Sequence, residues 1–244
     1  MPVETLIFLT AGVFVIALLY SSVGHAGASG YIAVMSLLSL APAEIKPIAL
    51  ALNILVASIG SFQFWRAGHF SWSLFWPFAL LSVPFAFLGG YLDLPTHVFK
   101  VIVGIVLLVS AAQFLVRPPA EGEPHPPAKP LAMGVGAGLG LLSGLTGTGG
   151  GIFLTPLLIF LRWARTKTAS ATSALFILVN SISGLLGNFS ATQAFPKFGV
   201  SLLVAAGIGG AIGSHFGSRR LEPLVIKRLL AVVLVIAGTK LIFT

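Results

Sequence analysis

The chain has no cysteine. That excludes thiolate metal sites, iron–sulfur clusters, disulfides and thiol redox chemistry. Charge is nearly as scarce: 8% of the 244 residues are Asp, Glu, Lys or Arg, against about 25% in a soluble domain. The six acids are Glu4, Glu44, Asp93, Glu121, Glu123 and Glu222. Each falls at the end of an apolar segment or in a polar linker. A path for a metal cation or a proton relay normally uses carboxylates inside the membrane, and none is placed there. Catalytic signatures are also missing: there is no HExxH and no carboxylate pair. Ser21 or Ser22 beside His25 is the one pairing an intramembrane hydrolase might use. No cofactor motif is present.

What remains is apolar. Hydrophobic residues make up 57% of the chain and its mean hydropathy is +1.03. Uncharged stretches recur at 5–23, 31–41, 46–64, 72–92, 97–116, 131–146, 151–161, 169–189, 199–217 and 222–243. A helix that crosses a bilayer needs about 20 apolar residues. The chain therefore reads as an all-α polytopic membrane protein, with the lipid bilayer as its first partner. The first run is long enough to span and flows into more apolar sequence, so no cleavable leader is expected. The net charge of +8 does not indicate a nucleic-acid partner. Lys and Arg sit in short loops, where they orient a membrane protein, and no basic cluster alternates with exposed aromatics. Trp65, Trp72, Trp76 and Trp163 fall near segment ends, as an interfacial belt would.

Two segments, 31–41 and 151–161, are too short to span. Each follows a glycine cluster, SSVGHAGASG at 21–30 and GLTGTGGG at 144–151. Between the fifth and sixth segments lies RPPAEGEPHPPAKP, with six prolines in fourteen residues. It is a solvated, semi-rigid linker. The sequence on its two sides looks duplicated. Asn53, Gly60 and Phe62 match Asn180, Gly187 and Phe189 at an offset of 127, as do Gly90 with Gly217 and Lys100 with Lys227. GHAG at 24–27 resembles GTGG at 147–150 at an offset of 123, and an insertion near 162–168 reconciles the two. The expected layout is a first repeat over 1–116, a linker over 117–130 and a second repeat over 131–244. Each repeat has about four full spans plus one short half-helix after a glycine break. If the short segments cross, the faces carry ten and four Lys/Arg and the repeats are inverted. If they re-enter, the split is nine to five. Either split puts the 162–167 and 219–228 loops in the cytoplasm and both termini outside.

Non-helical backbone at membrane depth is tolerated only where protein or water covers it. Matching breaks in two repeats are the best sequence pointer to a transporter's binding site. A half-helix starting after such a break presents free N–H groups and the positive end of its dipole. Glycine lets a ligand approach those groups closely. This builds an anion site with no buried cation. Gly24, His25 and Gly27 of the first break, and Gly147, Thr148, Gly149, Gly150 and Gly151 of the second, are the candidate binding residues. Ser143 is a further hydroxyl donor. Asn53 and Asn180 are candidate amide donors, equally readable as interhelical hydrogen bonds. Ser173 lies seven residues from Asn180 and so shares its helix face. Ser181 and Ser183 read as packing residues. Gly134, Gly136, Gly138 and Gly140 also read as packing residues, and Lys46 as an interfacial orientation charge or, as the alternative, a charge that attracts anions. His125, in the linker, is assigned no chemistry.

GTGGGIFLTPLL followed by TASATSALFILVNSISGLLGNF, with two halves around a proline-rich linker, resembles the sulfite exporter TauE/SafE family of membrane permeases. The resemblance covers nearly the whole chain. His25 and AGASG replace a full glycine triplet in the first half. The resemblance implies a bacterial inner-membrane carrier of small sulfur oxyanions or organosulfonates, with a small anion as its substrate. A carrier of a metal cation or neutral solute, and a non-transporting assembly subunit, are the alternatives. A homo-oligomer is compatible with the sequence.

Overall fold

The computed structural model describes residues 3–22, 24–115, 123–193, 200–219 and 224–243. Its ten helices run α1 (Val3–Ser22), α2 (Ala28–Leu37), α3 (Pro42–Arg66), α4 (Trp72–Tyr91), α5 (Thr96–Leu115), α6 (Lys129–Thr146), α7 (Gly151–Phe160), α8 (Thr166–Thr192), α9 (Val200–Arg219) and α10 (Leu224–Phe243). No strand occurs among the described residues. Among the described residues, six helices are both long and apolar enough to span: α1, α3, α4, α5, α8 and α9. The glycine-rich α6 falls short because Lys129, Pro130 and five glycines dilute its hydropathy. Outward-facing apolar side chains such as Phe8, Leu80, Ile105, Ile208 and Val235 give the bundle a lipid-compatible surface.

Glycines set the closest helix contacts. A Cβ on Gly136, Gly140 or Gly144 of α6 would collide with the carbonyl oxygen of Phe78, Ser82 or Ala86 of α4. On α9, Gly209, Gly213 and Gly217 meet the carbonyls of Phe14, Leu18 and Ser22 of α1 in the same way. Spacing by four puts each set on one face, and the missing side chains let the backbones touch. Gly134 and Gly138 face open space, so only alternate glycines of the α6 run are packing residues. Gly138→Ala should raise the unfolding midpoint, since alanine favours a helix by about 1 kcal/mol. Gly140→Val should lower stability by about 3 kcal/mol through overpacking. Heat unfolding in detergent separates the two, and equal midpoints would contradict the seam.

These contacts also fix helix direction. Partner numbers rise together in α1 with α9 and in α4 with α6, so each pair is parallel. α3 runs with α9, as Leu55 faces Gly207 and Gln63 donates to the Ala211 carbonyl. α8 runs with α4, as Ser82 meets Asn180 and Phe87 meets Gly187. Between α3 and α8 the order reverses. Leu50 faces Gly184 and Asn53 reaches Ser181. Thus α1 and α3 point the same way, and so do α6 and α8. The chain must cross back between the members of each pair. A ten-residue helix rises about 15 Å, and the left-handed break before it and the connection after it supply the rest of the return. Each short helix with its glycine break therefore belongs to the stretch that runs back along its pair.

The two apolar cores do not follow the halves of the chain. One joins α1, α2, α3 and α5 to α9 and α10, with Ile152 and Ile177. The other joins α4 to α6, α7 and α8. The first half thus lends α4 to the other bundle, and the second half lends α9 and α10.

Candidate functional site

The two breaks are built alike. Gly24 and Gly27 have φ of 82° and 104°; Gly147 and Gly150 have 79° and 75°. These pairs share the offset of 123. The same offset relates α2 to α7, both ten residues long. It also relates Ser39 (φ 60°) to Arg162 (φ 54°), just past the short helices' ends. Gly27 and Gly150 are left-handed N-caps with no side-chain cap. Tyr31 N–H donates to the Gly27 carbonyl at 2.9 Å, and Phe153 and Leu154 donate to that of Gly150 at 3.1 and 3.2 Å. The N–H groups of the first turn precede these bonds and have no partner within their helix.

The second break lies along α8. A Cβ on Gly149 (φ 76°) would come within 2.7 Å of Asn53 Nδ2, 2.8 Å of Ile177 Cγ2 and 3.1 Å of Ser181 Oγ. Gly151 abuts Ile177 and the Ser173 carbonyl. Asn53 is fully buried and donates to the Thr148 carbonyl and to Ser181 Oγ, both at 3.4 Å. Thr148 Oγ1 is 2.9 Å from Thr146 Oγ1. Ser143, also buried, adjoins Gly150.

The two asparagines have different surroundings. Asn180 accepts from Ser82 Oγ on α4 at 2.6 Å and does not reach the break residues that Asn53 holds. Ser181, read from sequence as packing, is the residue that meets Asn53. Ser183 does pack, donating to the Val83 carbonyl at 2.6 Å.

The first break rests on the opposite end of the α3–α8 pair. A Cβ on Gly24 would collide with Ser170. On α8, Ser170 and Ser181 are eleven residues apart, about 16 Å of rise. His25 is buried, with its ring perpendicular to Tyr20 at 6.5 Å. Tyr31 donates to the Ala26 carbonyl at 2.8 Å and Ser29 to Tyr20 Oη at 3.0 Å. Between Ser21, Gly24, His25 and α3 lies a cavity of about 10 Å³, roughly the room one water needs. The structure is closed around this break.

Several buried donors lack hydrogen-bond partners: Ser21 Oγ, Ser143 Oγ, Thr172 Oγ1, Ser173 Oγ and Asn180 Nδ2. Each such group costs about 1–3 kcal/mol. Every described acid is exposed. Lys46 departs from its expected interfacial place. It is 7% exposed, and its Nζ donates to the carbonyls of Gly89, Gly90 and Leu92 at 3.2, 3.0 and 3.3 Å. The end of α4 captures it.

On the linker side, a cavity of about 390 Å³ separates residues 124–127 from the starts of α4 and α8. Arg165 and Lys129 border it, and Lys129 Nζ lies 5.4 Å from the centre of the Trp76 ring. His125 does have a structural part, since its N–H donates to the Arg162 carbonyl at 2.8 Å. Burial, and then the charge of Lys167, hold His69 below its ordinary range. It adds no charge to this basic face at neutral pH.

With two glycine-capped half-helices in a lipid-compatible bundle in view, comparison with known proteins decides the class. Residues 9–241 match the family described as Sulfite exporter TauE/SafE. The chain belongs to this family. It is 43% identical over 235 residues to "Probable membrane transporter protein y4hK" of Sinorhizobium fredii, covering 94% of this chain and 95% of that one. It is 24% identical over 187 residues to "Probable membrane transporter protein YunE" of Bacillus subtilis, covering 68% of each. No solved structure matches. As a TauE/SafE member the chain is a multi-pass membrane transporter. The two breaks, the second above all, are where a transporter of this build departs most from regular helix.

Proposed function

We propose that the chain is a secondary carrier that exports a small anion, sulfite or an organosulfonate, bound at the glycine breaks. The carrying observation is the set of buried donors without partners beside the uncapped start of α7. Ser143 adjoins Gly150, and Ser173 sits on the helix face that Gly151 touches. A site offering donors and no buried acid suits an anion and repels nothing negative. The matched φ signs and equal short helices support descent from a duplicated, inverted repeat. A crossing topology carries the ten-to-four split of Lys and Arg, which supports a cytoplasmic 162–167 loop. Export then needs no coupling ion, because an inside-negative potential of 100 mV drives a monovalent anion outward by about 2.3 kcal/mol. The test is sulfite flux in liposomes. Flux should saturate, follow an imposed potential, and fall with added sulfate or methanesulfonate but not with a divalent metal. Flux that a metal blocks and anions leave alone would overturn the reading.

A further inference from the structure

We infer that Lys46 is the charge partner of the transported anion, leaving the carbonyls of α4 for the anion when the α3–α8 seam opens at that end. The inference rests on the carrier reading above and assigns its charge-neutralising residue. Lys46 is buried, and the one acid whose charge acts on it is Asp93. Its hydrogen-bond acceptors are the carbonyls of Gly89, Gly90 and Leu92, which are partial charges only. Asp93, the next residue along, is exposed. A buried ammonium held this way retains most of its charge for another partner.

Its position supplies that partner. The site where a Cβ on Gly147 would stand is 3.1 Å from the Lys46 carbonyl oxygen and 3.4 Å from its Cγ. Lys46 therefore backs directly onto the second break. The fold does not require a cation there, because the matching contact at the first break, Gly24, is made by neutral Ser170. The bonds are also placed to break. α3 belongs to one core and α4 to the other, so any motion of one bundle against the other parts Lys46 from its carbonyls. A neutral cap would close the end of α4 equally well. A role toward a mobile negative charge adds a use for the ammonium that capping α4 does not need.

Two measurements test this. In liposomes, Lys46→Gln keeps an amide donor for the carbonyls and removes the charge, while Lys46→Arg keeps the charge. We expect Lys46→Gln to raise the half-saturation for sulfite at least tenfold. It should weaken competition by sulfate several times more than competition by methanesulfonate. Lys46→Arg should keep the wild-type order of the two competitors. The second measurement needs no variant. Acetylation of lysines in the wild-type protein, read by mass spectrometry, should slow at least fivefold at Lys46 with saturating methanesulfonate and stay constant at Lys100. Unchanged kinetics in Lys46→Gln, or equal loss for both competitors in Lys46→Gln and Lys46→Arg, would overturn the inference. So would acetylation of Lys46 that is absent or indifferent to the sulfonate. If the wild type itself carries no anion, the carrier reading fails first. If it does and Lys46→Gln behaves like it, only the role of Lys46 fails.

Discussion

Replacing Gly149 with leucine should abolish sulfite flux, by a factor of at least 100, while leaving the chain inserted and helical. Gly149 has φ 76°, a conformation that costs a branched or bulky residue roughly 1–2 kcal/mol. The larger effect is steric. The first added carbon would already press on Asn53 Nδ2 at 2.7 Å and Ile177 Cγ2 at 2.8 Å. The rest of the side chain must then occupy the space between Asn53, Ser181 and the break. That forces Asn53 off the Thr148 carbonyl and covers the donors of the break. Gly149→Ala should show the same sign with a smaller loss. Gly138→Leu, on a face of α6 with open space, should keep flux and controls for the bulk of leucine alone. Flux unchanged in Gly149→Leu would reduce the break to a packing feature.

Cross-linking should reveal which parts move. The absence of native cysteine makes introduced pairs unambiguous. Thr10 and Ser201 touch at 3.3 Å between α1 and α9, which share one core. A Thr10→Cys/Ser201→Cys disulfide joins the two halves of the chain but lies inside one bundle. It should leave flux within about twofold of the reduced protein. A Cβ on Gly184 of α8 would stand 3.7 Å from Leu50 Cδ1 of α3. A Leu50→Cys/Gly184→Cys disulfide ties one bundle to the other and should cut flux more than tenfold, with recovery on reduction. Rocking of one bundle on the other around a fixed site requires this pattern. The opposite result, with the Thr10–Ser201 link blocking flux, would mean that the halves of the chain move as units.

Much of the helix layout was legible in sequence because hydropathy reports lipid against water directly. Segments read at 72–92 and 97–116 are α4 (Trp72–Tyr91) and α5 (Thr96–Leu115). The second short helix, read at 151–161, is Gly151–Phe160; the first begins three residues earlier than expected, because Ala28, Ser29 and Gly30 join it. The glycine clusters were found for a physical reason: only positive φ, or backbone in contact with backbone, makes so much glycine worth its helical cost. Separating those two uses was not possible from composition. Gly136 and Gly138 look alike in sequence, yet one touches α4 and the other faces outward. The packing of α4 on the second half, and of α9 and α10 on the first, was hidden, since apolar runs do not say which helix they face. The glycine spacing of four in α6 and α9 was the available signal. Lys46 was misread because a lysine before Pro47 at a span start resembles an interfacial charge. Its burial depends on carbonyls of α4 that lie more than forty positions away. Equal offsets in sequence also promised too much for Asn53 and Asn180. Only Asn53 holds the break, while Asn180 is turned to Ser82.

The most direct test of the account follows sulfite leaving liposomes that hold the wild-type protein, with the potential stepped by potassium and valinomycin. Efflux should saturate with sulfite and rise as the interior is made more negative, with sulfate and methanesulfonate competing and a divalent metal without effect. A protein that inserts and folds but shows no saturable, potential-dependent sulfite or sulfonate flux would contradict the account.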